Sequence, residues 1–241
     1  MANLRNITKN RLIIEANKKR LQALIFVQIF LIGIFFILKQ LLPERQLIVY
    51  LTTIIMTYIL FKKIPNVGVI LRAGGKGEQK ALRMLKKLPK KYTIFNQVNI
   101  PFYPNSEKTQ EIDYVIVGPT AVFIVEVKNN SGQIMASRQN EWWLVRQKQY
   151  TKSLANPIKQ LDRQITILGK FLTTTDLYPR IIGTLLFVHK TSDLKIPKDM
   201  RELIFTDKKI VKWIKRQEHN QPLIDAEIIV SLLQIVKKIY K

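Results

Sequence analysis

Two long apolar runs occupy the first quarter of the chain. Residues 21–38 contain no charge, and these 18 residues span about 27 Å as a helix. Residues 47–61 add a second uncharged run of about 22 Å, which is short of a full crossing. Because both runs are apolar on every side, they predict membrane-spanning helices rather than surface helices of a soluble core.

The flanking residues predict how these two helices are oriented. The first run is a poor signal peptide, because twenty residues precede it and no small-residue cleavage site follows. Lys62 and Lys63 could reach the interface and support the short second run, whose alternative is a re-entrant or interfacial segment. Residues 1–20 are rich in Lys and Arg, so the positive-inside rule predicts a two-span cell-membrane protein with both ends in the cytoplasm.

After the second run, short apolar strands alternate with amphipathic helices. The predicted strands are residues 92–98, 112–117, 122–128, 133–136, 142–146 and 181–188. The predicted helices are residues 78–88, a helix capped by Asn156 and Pro157 that reaches about residue 172, and residues 208–216 and 223–240. Strands between helices in this order indicate an α/β layer fold.

These patterns divide the chain into five segments. They are a basic cytoplasmic N-terminus (1–20), two transmembrane helices (21–61), a linker (62–73), a compact domain (74–190) and a C-terminal helical extension packed on it (191–241). The glycine-rich residues 73–77 lie at the expected helix start. They lack the spacing of a P-loop, so a flexible hinge and a backbone phosphate cradle are the two interpretations.

Charge narrows the class of partner. The 241 residues carry a formal net charge of +23, and residues 64–241 alone contain 30 basic and 15 acidic residues. This surplus indicates a polyanionic partner, either nucleic acid or anionic membrane lipids. The chain has no cysteine and two histidines, which excludes disulfides, thiolate zinc sites and polyhistidine metal centres.

The chemistry is concentrated in one predicted hairpin, residues 111–128. Folded symmetrically about its central turn, it places Asp113 opposite Glu126 and Glu111 opposite Lys128 on one face. Like charges repel at that separation, and burying an unpaired carboxylate is costly. The pattern Asp, then Glu-x-Lys, therefore predicts a site for a hard cation such as Mg²⁺ or Mn²⁺.

Such a site suits metal-assisted hydrolysis of a phosphodiester bond. Asp113 and Glu126 would hold the metal, and Lys128 would orient the attacking water and stabilise charge on the phosphoryl group. The alternative is an edge hairpin in which the same residues form ordinary ion pairs. A register slip of one residue would also move these side chains to the opposite face.

Four sequence blocks in a fixed order carry a family resemblance. The blocks are Gly77-Glu78; Gln110-Glu111-Ile112-Asp113 with Val115-Ile116-Val117-Gly118-Pro119; Phe123-Ile124-Val125-Glu126-Val127-Lys128-Asn129 with Ser131-Gly132; and Asn156-Pro157-Ile158-Lys159-Gln160. Over residues 73–188 the chain therefore resembles the NERD (nuclease-related domain) family. The resemblance implies the restriction-endonuclease-like fold of the PD-(D/E)xK superfamily, a mixed central sheet flanked by helices.

The resemblance also assigns roles to individual positions. Asp113 and Glu126 would be metal ligands, Lys128 the catalytic lysine, Glu78 an acidic residue near the metal, and Gln160 a polar group facing the site. At two positions the sequence departs from the family pattern. Tyr114 occupies a position where the family often has histidine, and Glu111 is an additional acid.

Three further residues have both a structural and a functional interpretation. Trp142 and Trp143 are adjacent, so one is expected to face inward, and the outward one either packs on the sheet or stacks on a base. His189 ends a buried strand and is expected to be structural.

The sequence as a whole predicts a membrane-anchored, Mg²⁺-dependent nuclease-like protein acting on DNA or RNA. The alternatives are a catalytically silent nucleic-acid-binding module and a scaffold that uses its charge for lipid contact.

Overall fold

The computed structural model describes residues 1–5, 11–41, 43–63 and 68–240. Within it the chain divides into two compact units. One contains residues 9–76, and the other contains residues 77–241 together with the first residues of the chain. All the residues singled out for catalysis lie in the second unit.

The first unit consists mainly of two apolar helices, as predicted. Helix α1 (Arg11–Leu41) is followed by a short 3-10 turn and helix α2 (Gln46–Lys63). Rings of the two helices touch, with the centroids of Phe35 and Tyr50 5.1 Å apart. Among the described residues, α1 is the one helix that is both long and apolar enough to cross a membrane, and α2 contains a shorter apolar stretch, Leu47–Ile59.

The segment predicted as linker differs from the expectation. Residues 64–67 lie outside the described residues, Lys62 and Lys63 end α2, and helix α3 (Val69–Leu85) already includes residues 69–73 and the glycine-rich run. The glycines are therefore neither a flexible hinge nor a loop that cradles phosphate. At Gly77 a Cβ atom would lie 2.7 Å from Cβ of Asn129, so this glycine allows the helix to approach the loop after the Glu-x-Lys strand.

The second unit is built on two sheets. The main sheet contains β1 (Asn3–Leu4), β2 (Thr93–Pro101), β3 (Thr109–Val117), β4 (Val122–Lys128), β8 (Ile181–Phe187) and β10 (Ile204–Phe205), in the order β1-β2-β3-β4-β8-β10. The smaller sheet contains β5 (Gly132–Met135), β6 (Trp142–Arg146), β7 (Thr151–Ala155) and β9 (Ser192–Lys195), in the order β7-β6-β5-β9. The main sheet is mixed, since β2, β3 and β4 are antiparallel whereas β8 runs parallel to β4.

Helices cover both faces of the main sheet and complete the layers. They are the C-terminal part of α3 together with α4 (Pro157–Thr173), α5 (Lys209–Gln217) and α6 (Ala226–Ile239). Val115 and Ile124 belong to an apolar cluster that includes residues of α4, α6 and the smaller sheet. Ile116 and Phe123 point the other way, into a cluster with residues of α3 and α5. The predicted mixed sheet flanked by helices is therefore confirmed.

The predicted hairpin register is also confirmed along its apolar half. Val117 pairs with Val122, Val115 with Ile124, and the last backbone pair is Tyr114 with Val125. The next predicted pair, Asp113 with Glu126, is not formed as a backbone pair. The reason lies in the Asp113 side chain and is described with the site below.

Helix α4 begins as predicted and lies close against the sheet. The Asn156 side chain accepts the backbone N–H of Ile158 at 2.9 Å, and Pro157 occupies the first turn. Beneath the helix, Gly183 on β8 leaves room for two α4 side chains. A Cβ atom there would lie 2.7 Å from both Leu161 and Ile165.

The C-terminal extension, residues 191–241, is not purely helical as predicted. Before α5 and α6 it adds β9 to the smaller sheet and β10 to the main sheet. These strands have four and two residues. Segments this short carry no reliable hydrophobic period, so pairing with an existing strand decides their structure.

Candidate active site

The site lies where β3 and β4 stop pairing. Oδ2 of Asp113 accepts the backbone N–H of Val127 at 2.7 Å, so a side chain replaces a backbone bond of the sheet ladder. Ile112 packs in the same core cluster as Val115, three residues on, although strict alternation would separate them. The predicted face of alternating residues, apolar in one half and charged in the other, is therefore interrupted at Asp113, where the two strands separate.

Strand β2 is irregular at the same level. Its pairs with β3 pass from Asn96–Tyr114 to Val98–Ile112, and Gln97, which would face Asp113, is not among them. Gln97 has a left-handed backbone with φ of 48°, which is uncommon for a residue with a side chain. Irregular strand positions of this kind re-aim side chains next to functional sites.

Glu126 and Lys128 form the centre of the site. Glu126 is buried, and the Lys128 Nζ lies 2.6 Å from its Oε1. The same ammonium group donates to Oε1 of Gln160 on α4 at 2.9 Å. The structure thus brings together three of the residues singled out in the sequence and holds the lysine between a carboxylate and an amide.

A second glutamine of α4, Gln164, also holds Glu126, and the sequence did not reveal it. Its Nε2 donates to Oε2 of Glu126 at 2.8 Å and to the backbone carbonyl of Glu111 at 3.2 Å. Gln164 is fully buried, and its Oε1 has no hydrogen-bond partner within the described residues. Its position four residues after Gln160 places both amides on one helix face, and this spacing is the signal that could have found it.

Glu78 reaches the site from α3. It is buried, its Oε2 accepts Nε2 of Gln97 at 3.0 Å, and its backbone carbonyl accepts the Tyr114 hydroxyl at 2.7 Å. The Tyr114 hydroxyl thus anchors the helix that carries Glu78.

Negative charge accumulates among these carboxyl groups. Burial raises the pKa of Glu78 to about 7, with further contributions from the nearby Glu111 and Glu126. The half-buried Asp113 has a pKa well above its ordinary value, because burial and the charges of Glu126 and Glu78 outweigh the Val127 N–H and the Lys128 charge. One lysine is therefore not enough to stabilise all the carboxylates in their ionised form.

This donor set fits a hard divalent cation. Its oxygens come from carboxyl and amide groups, and a positive ion would relieve the repulsion that raises the carboxyl pKa values. In the described part of the chain, no three His, Cys, Asp or Glu side chains are grouped as a ready-made metal site. A cation here would be held by carboxylates of this cluster and would complete its shell with water, as Mg²⁺ commonly does.

The remaining residues of interest lie outside this centre. Trp143 is buried and donates from Nε1 to the Ser137 carbonyl at 2.6 Å, whereas Trp142 is exposed, as predicted for adjacent residues of a strand. The His189 Nδ1 lies 3.0 Å from the Thr191 hydroxyl, a contact that holds the turn after β8.

Part of the chain is similar to a known family. Residues 73–189 match the sequence model of the nuclease-related domain, NERD. The match spans the site from Glu78 to Gln164 and indicates a nuclease-related function for this part of the chain. An uncharacterized protein of Bacillus anthracis is 34% identical over 93 residues, which are 38% of this chain and 43% of that protein. The chain thus covers less than half of that relative. No solved structure gives a significant match.

Proposed function

We propose that the NERD region is a metal-dependent nuclease that hydrolyses phosphodiester bonds of DNA. The observation that carries the proposal is the contact of Lys128 with Glu126 and Gln160, beside Asp113 at the point where the strands separate. A buried carboxylate and a constrained lysine next to a half-buried acid are the groups that metal-assisted phosphodiester hydrolysis needs.

Each residue has a distinct role in this mechanism. Asp113 and Glu126 would hold Mg²⁺ or Mn²⁺, with Glu78 assisting directly or through a water molecule. Bound there, the ion would supply a Lewis acid for the phosphoryl oxygen and a more acidic water. Gln164 keeps the second oxygen of Glu126 in place, because it donates to Oε2 while the lysine contacts Oε1.

Lys128 acts on the nucleophile and on the charge that develops. Its Nζ is a three-hydrogen donor, and contacts to Glu126 and Gln160 leave donor capacity for a water or a phosphoryl oxygen. Since these contacts fix the lysine before substrate arrives, little reorganisation is required when charge builds on the phosphoryl oxygens.

The location is the second part of the proposal. The apolar helix α1 anchors the protein in the cell membrane, α2 returns the chain, and the NERD region faces the cytoplasm near anionic lipid. The basic surplus supports affinity for phosphate groups, whether of nucleic acid or of lipid headgroups.

Cleavage of plasmid DNA by the full-length protein in mild detergent tests the catalytic proposal. We expect Mg²⁺-dependent nicking that EDTA abolishes and that falls by at least about a hundredfold in Glu126→Gln and Lys128→Ala. The exposed residues Glu202 and Lys195 provide matched controls, Glu202→Gln and Lys195→Ala, which should cut like wild type. Equal cutting by wild type and Lys128→Ala would refute catalysis at this site, and DNA binding without cutting would favour the silent binding module.

A further inference from the structure

A cavity of about 350 Å³ lies directly beside the candidate active site. Gln160, which accepts the Lys128 ammonium group, also lines this cavity. The cavity extends from there to Trp142 on β6 and to Lys159 and Arg163 on α4. A group bound in it would therefore lie next to the lysine proposed to act on the scissile phosphate.

Trp142 offers a flat apolar surface to this cavity. Its side chain is 60% exposed, although its neighbour Trp143 is buried in the core. Across the strand pair Trp142 faces Ala155, whose small side chain leaves the indole uncovered. An exposed indole ring is the side chain on which nucleic-acid bases stack most effectively, and the interaction tolerates any base sequence.

The two basic residues beside the cavity lie on one helix face. Lys159 and Arg163 are four residues apart on α4, next to the face that carries Gln160 and Gln164. Lys159 pairs with Glu141, which also lines the cavity, so the local charge is one positive unit in excess. This arrangement is complementary to a single phosphate beside a stacked base.

We infer that this cavity is a subsite for one unpaired nucleotide of the substrate strand, next to the bond that is cut. The inference rests on the proposed function and specifies its substrate class. In a duplex both faces of each base are covered by stacking, so the indole can stack only on a base that is already unpaired or has left the helix. Single strands, flaps and frayed ends are then preferred to intact duplex.

Binding of labelled oligonucleotides tests this subsite independently of cleavage. The probes are a short mixed-sequence DNA strand, the same strand annealed to its complement, and an RNA strand of that sequence, each measured by fluorescence anisotropy. The protein is the full-length Lys128→Ala variant, which removes cutting. We expect Trp142→Ala in this background to weaken single-strand binding about tenfold and duplex binding much less, with Trp142→Phe retaining most of the affinity. Comparison of the DNA and RNA arms identifies the sugar that the subsite accepts.

Tyr178→Ala is the matched control, because Tyr178 is an exposed aromatic residue that does not line this cavity. Unchanged single-strand affinity in Trp142→Ala, or an equal loss in Tyr178→Ala, would overturn the subsite. If wild type cuts no DNA while the Trp142 dependence persists, the catalytic proposal fails and the cavity stands as a binding site for one unpaired nucleotide. If wild type cuts and Trp142 has no effect, the subsite fails and the nuclease stands.

Discussion

The carboxylate of Asp113 accepts the backbone N–H of Val127 at 2.7 Å, at the level where β3 and β4 stop pairing. The side chain of Asp113 thus replaces a backbone carbonyl as the acceptor and holds the end of β4 against β3. Because β4 carries Glu126 and Lys128, this one bond helps to position both groups. Asp113 therefore has a structural task as well as its proposed task as a metal ligand, and the two can be separated.

Substitution of Asp113 separates its structural task from its proposed task as a metal ligand. Asp113→Asn keeps an oxygen for the Val127 N–H and removes the charge that Glu126 and Glu78 repel, so its stability should equal or exceed that of wild type. Asp113→Ala leaves the N–H without its acceptor, at a cost of about 1–3 kcal/mol. Urea denaturation followed by tryptophan fluorescence measures the difference, since all three tryptophans lie in the second unit. Both variants should lose DNA cleavage, and an active Asp113→Asn would contradict the role as ligand.

Glu78 gives the metal-free protein a defined pH dependence. Its pKa in the folded protein is about 7, above the ordinary value of 4.5, because of burial and the charges of Glu111 and Glu126. Between these two values the folded state binds more protons than the unfolded chain, so the free energy of unfolding falls as pH rises from 4.5 to 7.

Glu78→Gln should remove this loss of stability. In EDTA at pH 8 we expect the variant to be more stable than wild type by about 2–3 kcal/mol, with the gap closing as pH approaches 5. Denaturation curves at several pH values measure it, and Glu202→Gln serves as the exposed control. A difference in the free energy of unfolding that is the same at every pH would show that the ionisation of Glu78 does not cause it.

Regular patterns explain why part of the hairpin and the start of α4 were predictable. Alternation along two apolar strands and a symmetric turn predicted the register of the apolar half of the hairpin, and helix capping predicted the start of α4. The left-handed backbone of Gln97 follows no such period, and the contact of Gln164 with Glu126 is marked in the sequence only by its four-residue spacing from Gln160. They depend on how a helix and an irregular strand meet in three dimensions, which local sequence does not specify.

Contacts between residues distant in sequence also explain why the structure differs from the predictions at the glycine-rich run and in the C-terminal extension. Gly77 was interpreted as chain flexibility, but its task is close packing against Asn129, which is distant in sequence. Strands β9 and β10 pair with strands that the two sheets already offer, and with four and two residues they are too short for their own pattern to predict them.

Two glycines test how closely α4 must lie on the sheet. At Gly183 a new Cβ would lie 2.7 Å from atoms of Leu161 and Ile165, so Gly183→Ala should push α4 outward and destabilise the protein by about 1–3 kcal/mol. It should also reduce cleavage, because the shift displaces Gln160 and Gln164. At Gly169 the nearest atom would be 3.7 Å away, and in a helix interior Gly169→Ala should instead stabilise by up to about 1 kcal/mol. The midpoints of urea denaturation compare the two variants, and equal effects would contradict a close approach of α4 to the sheet at Gly183.

The membrane topology can be tested cleanly because the chain has no cysteine. Glu44 is exposed in the turn between α1 and α2, and Tyr178 is exposed in the second unit. With both helices spanning, Glu44→Cys should react with a membrane-impermeant maleimide in intact cells, and Tyr178→Cys only after permeabilisation. Labelling of Tyr178→Cys in intact cells would contradict a cytoplasmic NERD region, and protection of both cysteines in intact cells would contradict two spans.

The most direct test of the central claim is a calorimetric titration of Mn²⁺ into the full-length protein, compared with the double variant Asp113→Asn/Glu126→Gln. The account predicts a saturable site in wild type and in Glu202→Gln that the double variant loses, because two carboxylates supply the protein ligands. Mn²⁺ binding of equal affinity in the double variant would contradict it.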